Sequence, residues 1–152
     1  MTRSSPPDGD GGPPASPAFL LIALGRRVRE QVETELKAEG MSLRHLSALG
    51  HLASSPGLSY SELARRAGIT PQSMQATLNA LEARGAVERV TEAGRGRTAE
   101  LRVTAEGDRL RRAARRVVAE VDEGLRAQLG DASTDELTTA LRTLLPRPPQ
   151  VN

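Results

Sequence analysis

The chain has 152 residues, enough for one compact domain with a real core and too few for two large ones. It contains no cysteine, which excludes disulfides, zinc–cysteine centres and thiol redox sensing together. The net charge is only +2, and Lys37 is the only lysine among 21 basic residues. Arginine suits bidentate contacts to phosphate and guanine, although a chain this rich in Ala, Arg, Gly and Pro also reads as coding bias. The arginines concentrate in residues 84–116, whereas acids dominate residues 30–39. The most apolar stretch, residues 19–24, is far shorter than the ~20 residues of a membrane span. The first residues lack the apolar core of a secretory signal, so a cytoplasmic location and no membrane partner are expected.

Residues 1–16 are rich in Pro, Gly, Asp and Ser and read as a disordered tail, as do residues 146–152. Between them helical periodicity dominates. Leu21, Leu24, Val28, Val32 and Leu36 form one apolar stripe ending at Gly40, which assigns residues 17–40 to a first helix. Ser42 caps a second helix with Leu43, Leu46, Leu49 and Leu52 on one face, broken by Ser54-Ser55-Pro56-Gly57. Ser59 and Glu62 fit a capping box for a short helix that stops at Gly68. Thr70 caps the next helix and Pro71 occupies its first position, where a missing N–H does no harm. That helix turns Met74, Leu78 and Leu81 inward and ends at Gly85. Residues 86–91 and 99–103 alternate as strands around a polar, glycine-rich turn, which predicts a hairpin tipped by Arg95 and Arg97. Thr104 caps a long helix with Leu110, Ala114, Val117, Val121 and Leu125 in a near-heptad stripe, ended by Gly130. Ser133 and Glu136 read as a second capping box before a last helix carrying Leu137, Leu141, Leu144 and Leu145.

This order predicts a mainly α fold with a small β-hairpin wing, a winged helix-turn-helix flanked by N- and C-terminal dimerisation helices. The winged domain spans residues 41–103, with dimerisation helices at 17–40 and 104–145. The helix after Thr70 presents Gln72, Ser73, Gln75, Ala76 and Asn79 outward. Gln and Asn match the adenine N6/N7 edge, and Ser serves several bases. An ordinary solvated face in this chain carries Glu and Arg instead. Ser61 and Thr70, at the starts of the two helices of the motif, join the candidate DNA contacts, and Arg95 and Arg97 suit a minor groove. The competing reading is a winged helix that binds protein and no DNA. A third, the dimerisation domain of an enzyme, lacks any glycine-rich cofactor motif. No catalytic arrangement or cofactor motif is evident, and no metal site: His45 and His51 do not share a helix face.

Residues 61–89, SELARRAGITPQSMQATLNALEARGAVER, resemble the MarR family of transcription regulators, and the resemblance extends over residues 19–145. Arg97 looks like that family's wing arginine, and Val103, Thr104 and Gly107 resemble its "LT..G" signature. The resemblance implies a homodimer built on the first, fifth and sixth helices and a repressor on a palindromic double-stranded operator. It also implies a small-molecule effector pocket between the dimer and DNA-binding parts, which makes His45 a candidate ligand contact. Two positions depart from the family pattern. Arg95 stands where an Asp usually orients the wing arginine, and Ala76 where many relatives carry an arginine. The apolar stripes independently favour a dimer, because they exceed what a small winged domain can cover. Twofold symmetry then sets the recognition helices ~34 Å apart, one DNA turn.

Overall fold

Short hydroxyl side chains set where the helices begin. In the computed structural model, which describes residues 16–90 and 100–145, helices α1 (Pro17–Ala38), α2 (Leu43–Ser54), α3 (Tyr60–Ala67), α4 (Pro71–Ala83) and α5 (Ala105–Leu129) each start behind a Ser or Thr. The caps are Ser16, Ser42, Ser59, Thr70 and Thr104, each accepting from the N–H three residues on at 3.1–3.3 Å. Ser16, assigned to the tail by composition, is therefore the first residue of helical architecture. At Ser59 only half of the expected capping box forms. The Glu62 N–H donates to Ser59, but the Glu62 carboxylate turns to Arg65 and Arg66.

The last helix, α6 (Asp131–Leu144), departs from expectation. Ser133 and Glu136 do not cap it, because they lie inside it. Gly130 ends α5 and starts α6 at once, with no side-chain cap. Asp131 and Asp135 instead pair with Arg126 across the junction, at 3.0 and 3.5 Å. The two strands are also shorter than the alternating pattern suggests. Strand β1 (Val87–Arg89) pairs antiparallel with β2 (Leu101–Val103), in the register Val87 with Val103 and Arg89 with Leu101. In the same register the Ala86 carbonyl accepts from the Thr104 N–H at 3.1 Å and the Glu100 carbonyl from the Val90 N–H at 2.9 Å, so single bonds extend the pairing past both ends of the short strands. Residues 91–99, which hold the wing tip with Arg95 and Arg97, lie outside the described residues.

The core gathers Leu36 from α1, Leu49 and Leu52 from α2, Leu63 from α3, Met74, Leu78 and Leu81 from α4, Val87 and Leu101 from the strands, and Leu110 from α5. Each such side chain contributes about 1.5–3 kcal/mol when fully removed from water. The stripe on α5 runs as predicted, with Leu110, Ala114 and Val121 buried and Val117 and Leu125 half-buried. The stripe on α1 is buried in this chain only at its C-terminal end. Val32 and Leu36 are buried, but Phe19, Leu20, Leu21, Ile22 and Leu24 are 40–72% exposed. Leu141 and Leu144 on α6, and Leu145 just past its end, are likewise exposed. Among the described residues no helix is long and apolar enough to cross a membrane.

One close approach fixes how the long helix meets the sheet. A Cβ at Gly107 would stand 2.1 Å from the Ala86 carbonyl oxygen and 2.7 Å from Val103 Cγ1. The first turn of α5 can press onto the strand edge only because this position is Gly.

Candidate nucleic-acid interface

Two complementary stripes run along α4. Met74, Thr77, Leu78 and Leu81, at spacings of three and four, are buried. Gln72, Gln75, Ala76 and Asn79 follow the same spacing on the opposite face and are exposed. Thr77 is the one inward residue the apolar pattern missed, and its hydroxyl is satisfied by donating to the Ser73 carbonyl at 2.8 Å. The first charged residue on the helix is Glu82, so the exposed stripe consists of amides and a methyl group.

The start of α4 is set by the turn before it. Gly68 (φ +65°) sends its N–H to the Arg65 carbonyl, and Ile69 sends its own to Ala64 at 3.0 Å. This left-handed closure turns α3 into α4 within three residues. Thr70 and Ser73 then interlock: the Ser73 N–H donates to Thr70 Oγ1, whose hydroxyl donates to Ser73 Oγ at 3.0 Å. Thr70 is exposed and Ser73 half-buried, so the pair still meets solvent at the tip of the helix. Ser61, in the first turn of α3, is exposed too.

The far end of α4 is fastened to two other helices. Arg84 Nη1 donates to the Gly40 carbonyl at 2.6 Å and Nη2 to the Glu39 carbonyl at 3.0 Å, both at the end of α1. Thr104, the cap of α5, donates its hydroxyl to the Gly85 carbonyl at 2.6 Å. Nothing local in the sequence marks Arg84 for this role, since its partners lie more than forty residues upstream. On the wing, Glu88 pairs with Arg102 across the strands and Glu82 with Arg89 at 3.0 Å.

A cleft of about 630 Å³ opens between α1, α2 and the α3–α4 turn, lined in part by Arg29, Glu33, Ser42, Arg44, Ser47 and Ile69. Neither Arg29 nor Arg44 has an ion-pair partner among the described residues. His45 is not in its lining. The ring is half-buried on another face of α2, where Nδ1 finds no hydrogen-bond partner. Burial pushes its pKa below the usual histidine value, the Arg84 charge adds to this, and Glu33 opposes it. His51 is lowered as well, by burial and then by Arg66.

Two helices joined by a tight glycine turn, followed by an antiparallel ribbon, define a winged helix-turn-helix, the architecture of DNA-binding regulators. Sequence comparison names the branch. The MarR family model matches residues 39–98. The HTH-type transcriptional repressor Rv2887 of Mycobacterium tuberculosis is 36% identical over 126 residues, covering 83% of this chain and 91% of the relative. The chain belongs to the MarR family of DNA-binding transcription regulators. The crystal structure of Rv2887 in complex with DNA superposes with a TM-score of 0.75 at 33% identity, covering 88% of this chain and all of that one. Rv2887 in complex with salicylic acid gives 0.71 at 36% identity, with 87% and 98% covered.

Proposed function

We propose that this chain represses transcription as a cytoplasmic homodimer on an inverted-repeat operator, acting by binding and not by catalysis. One observation carries the assignment of the reading head: the exposed stripe of Gln72, Gln75, Ala76 and Asn79 is polar yet free of charge, whereas the polar exposed faces of α5 and of the C-terminal half of α1 carry Arg and Glu. Amide side chains spaced along one face of a helix can form paired hydrogen bonds with base edges in a major groove. Thr70, Ser73 and Ser61 supply hydroxyls to the adjoining phosphates, and Arg95 and Arg97 follow the minor groove from the wing. The exposed apolar residues 19–24 of α1 and the leucines of α6 are covered by the second copy. That gives the domain plan: dimerisation helices at 17–40 and 104–145 around a reading domain at 41–103.

The effector is a small carboxylate. Rv2887 has been crystallised with salicylic acid, and the cleft between α1, α2 and the α3–α4 turn offers the unpaired guanidinium groups of Arg29 and Arg44 to such an anion. A ligand there touches a dimer helix and the turn of the reading motif together, so it can bias their relative pose.

The test is a selection of bound genomic fragments, followed by anisotropy titration of the best duplex across a salt series. Two chains per inverted repeat are expected, with log K falling by about 0.9 per neutralised phosphate for each decade of salt. Salicylate as the probe should weaken that binding in wild type and not in Arg29→Ala/Arg44→Ala. Equal affinity for random duplexes would refute the reading.

A further inference from the structure

We propose that Arg84 is a positioning residue whose clasp on the end of α1 fixes the pose of α4, and thereby the half-site spacing the protein accepts. The inference rests on the dimeric, DNA-reading function proposed above. It begins from what joins the two helices. α1 and α4 do not pack broadly on one another; α2 stands between them and contacts both. The direct tie is the fork of Arg84. Its two terminal nitrogens reach the carbonyls of Glu39 and Gly40, the last residues of the α1 terminus. Those carbonyls carry the partial negative charge of a helix C-terminus, which favours a cation. A planar guanidinium holds two of them in fixed geometry, which the point charge of a lysine cannot. The fit is close, since a Cβ on Gly40 would lie 3.3 Å from Arg84 Nη1.

The neighbouring residues are tied the other way. Gly85 and Ala86 offer their carbonyls to the hydroxyl and N–H of Thr104, at the start of α5. Three consecutive residues thus bind the end of α4 to α1 on one side and α5 on the other. The opposite end of α4 packs on α3 and α2, with Met74 and Leu78 buried, and makes no hydrogen bond to α1 or α5 among the described residues. The helix-turn-helix unit of α3 and α4 is thus a lever whose hydrogen bonds to α1 and α5 all lie at the Arg84 end. Gln72 lies twelve residues from Arg84, about 18 Å along the axis. A swing of ~10° at the held end moves the reading residues by ~3 Å, close to the 3.4 Å rise of one base pair. A loose clasp therefore blurs spacing by about one base pair in each half of the dimer while leaving the base-contacting side chains intact.

The experiment uses the full chain and duplexes carrying the two selected half-sites at their native spacing, with one base pair added or removed, and a single half-site alone. Arg84→Met keeps the alkyl stem without donors, and Arg84→Lys keeps the charge without the fork. Thermal melting checks that each variant is folded. Wild type should lose about tenfold in affinity on a misspaced duplex, a penalty of the size of one mismatched pair. Arg84→Met should bind all three spacings within about twofold of each other, with single-half-site affinity unchanged, and Arg84→Lys should fall between. A merely structural lesion would lower every affinity by one factor and keep the preference. Arg84→Met with the wild-type spacing profile, or with a uniform loss, overturns the clasp. A wild type indifferent to inverted repeats overturns the functional reading and this one with it.

Discussion

Gly107→Ala tests the junction between the long helix and the sheet. Placing a methyl group there sets it 2.1 Å from the Ala86 carbonyl oxygen and 2.7 Å from Val103 Cγ1. The first neighbour is backbone and cannot rotate away, so the helix must retreat by about 1 Å to reach ordinary contact. Overpacking of this kind costs about 1–3 kcal/mol. Retreat also stretches the Thr104 N–H to Ala86 carbonyl bond, now 3.1 Å, for a further ~0.5–1.5 kcal/mol. Against this stands the helix preference for Ala over Gly, close to 1 kcal/mol. The net expectation is a loss of about 0.5–3.5 kcal/mol, or a melting point lower by roughly 1–14 °C for a chain of this size. Gly50→Ala supplies the internal control. It lies inside α2, and nothing comes within 4 Å of its added Cβ. That substitution should be neutral or stabilising by up to ~1 kcal/mol. Urea unfolding of the two variants beside wild type decides the matter. A Gly107→Ala protein as stable as Gly50→Ala would refute the close-approach argument, because propensity alone would then account for both.

Three further outcomes are expected. Gln75→Ala should weaken binding to the selected operator by roughly 1–3 kcal/mol and barely affect random duplexes, as read by competition titration. Ile22→Asp, at a position 72% exposed in the single chain, should shift the protein from dimer to monomer in sedimentation and lower operator affinity, while the far-ultraviolet dichroism persists. His45 carries a pKa lowered first by burial and then by Arg84. A histidine lowered in the folded state is protonated more readily when unfolded, so its contribution to stability is fully present above its ordinary value near 6.5 and is lost as pH falls from there towards the folded value. His45→Gln should flatten the dependence of unfolding free energy between pH 7 and about 5.5; an unchanged slope would assign that dependence to other groups, His51 first.

How much of this was legible depends on the range of the signal. The helix starts at Ser42, Ser59, Thr70 and Thr104 are visible because a hydroxyl cap acts within three residues. The same rule misplaces the start of α6. Ser133 and Glu136 have the right spacing, but α5 and α6 share Gly130 with no loop between them, so the motif falls inside the helix. The stripe on α1 is legible as a stripe, yet nothing in its period tells that Val32 and Leu36 meet this chain's own core while residues 19–24 stay bare. Periodicity identifies a face and is silent on what covers it. Arg84 was counted among clustered arginines, since its partners at Glu39 and Gly40 are distant in sequence and offer only backbone carbonyls, which every residue possesses.

That distinction bears on how a regulator of this kind can be altered. The exposed stripe on α4 is built from side chains that face solvent: Gln72, Gln75, Ala76 and Asn79 make no side-chain hydrogen bond to the rest of the fold among the described residues. Exchanging them costs little stability, as for surface positions generally, so base preference is free to change. The joint at Arg84, Gly85 and Thr104 is different. It binds three helices through backbone carbonyls whose positions depend on both glycine turns. Exchange there moves the lever as a whole. The two properties, which base is read and how far apart the halves are read, thus reside at opposite ends of one thirteen-residue helix. Because they share no side chain and lie more than ~10 Å apart, their energetic effects should add. A Gln75→Ala/Arg84→Met double variant is therefore expected to combine the two losses on the operator without coupling, within about 0.5 kcal/mol. A larger coupling would mean that the reading face and the joint are one unit, and the lever description of α4 would have to be given up.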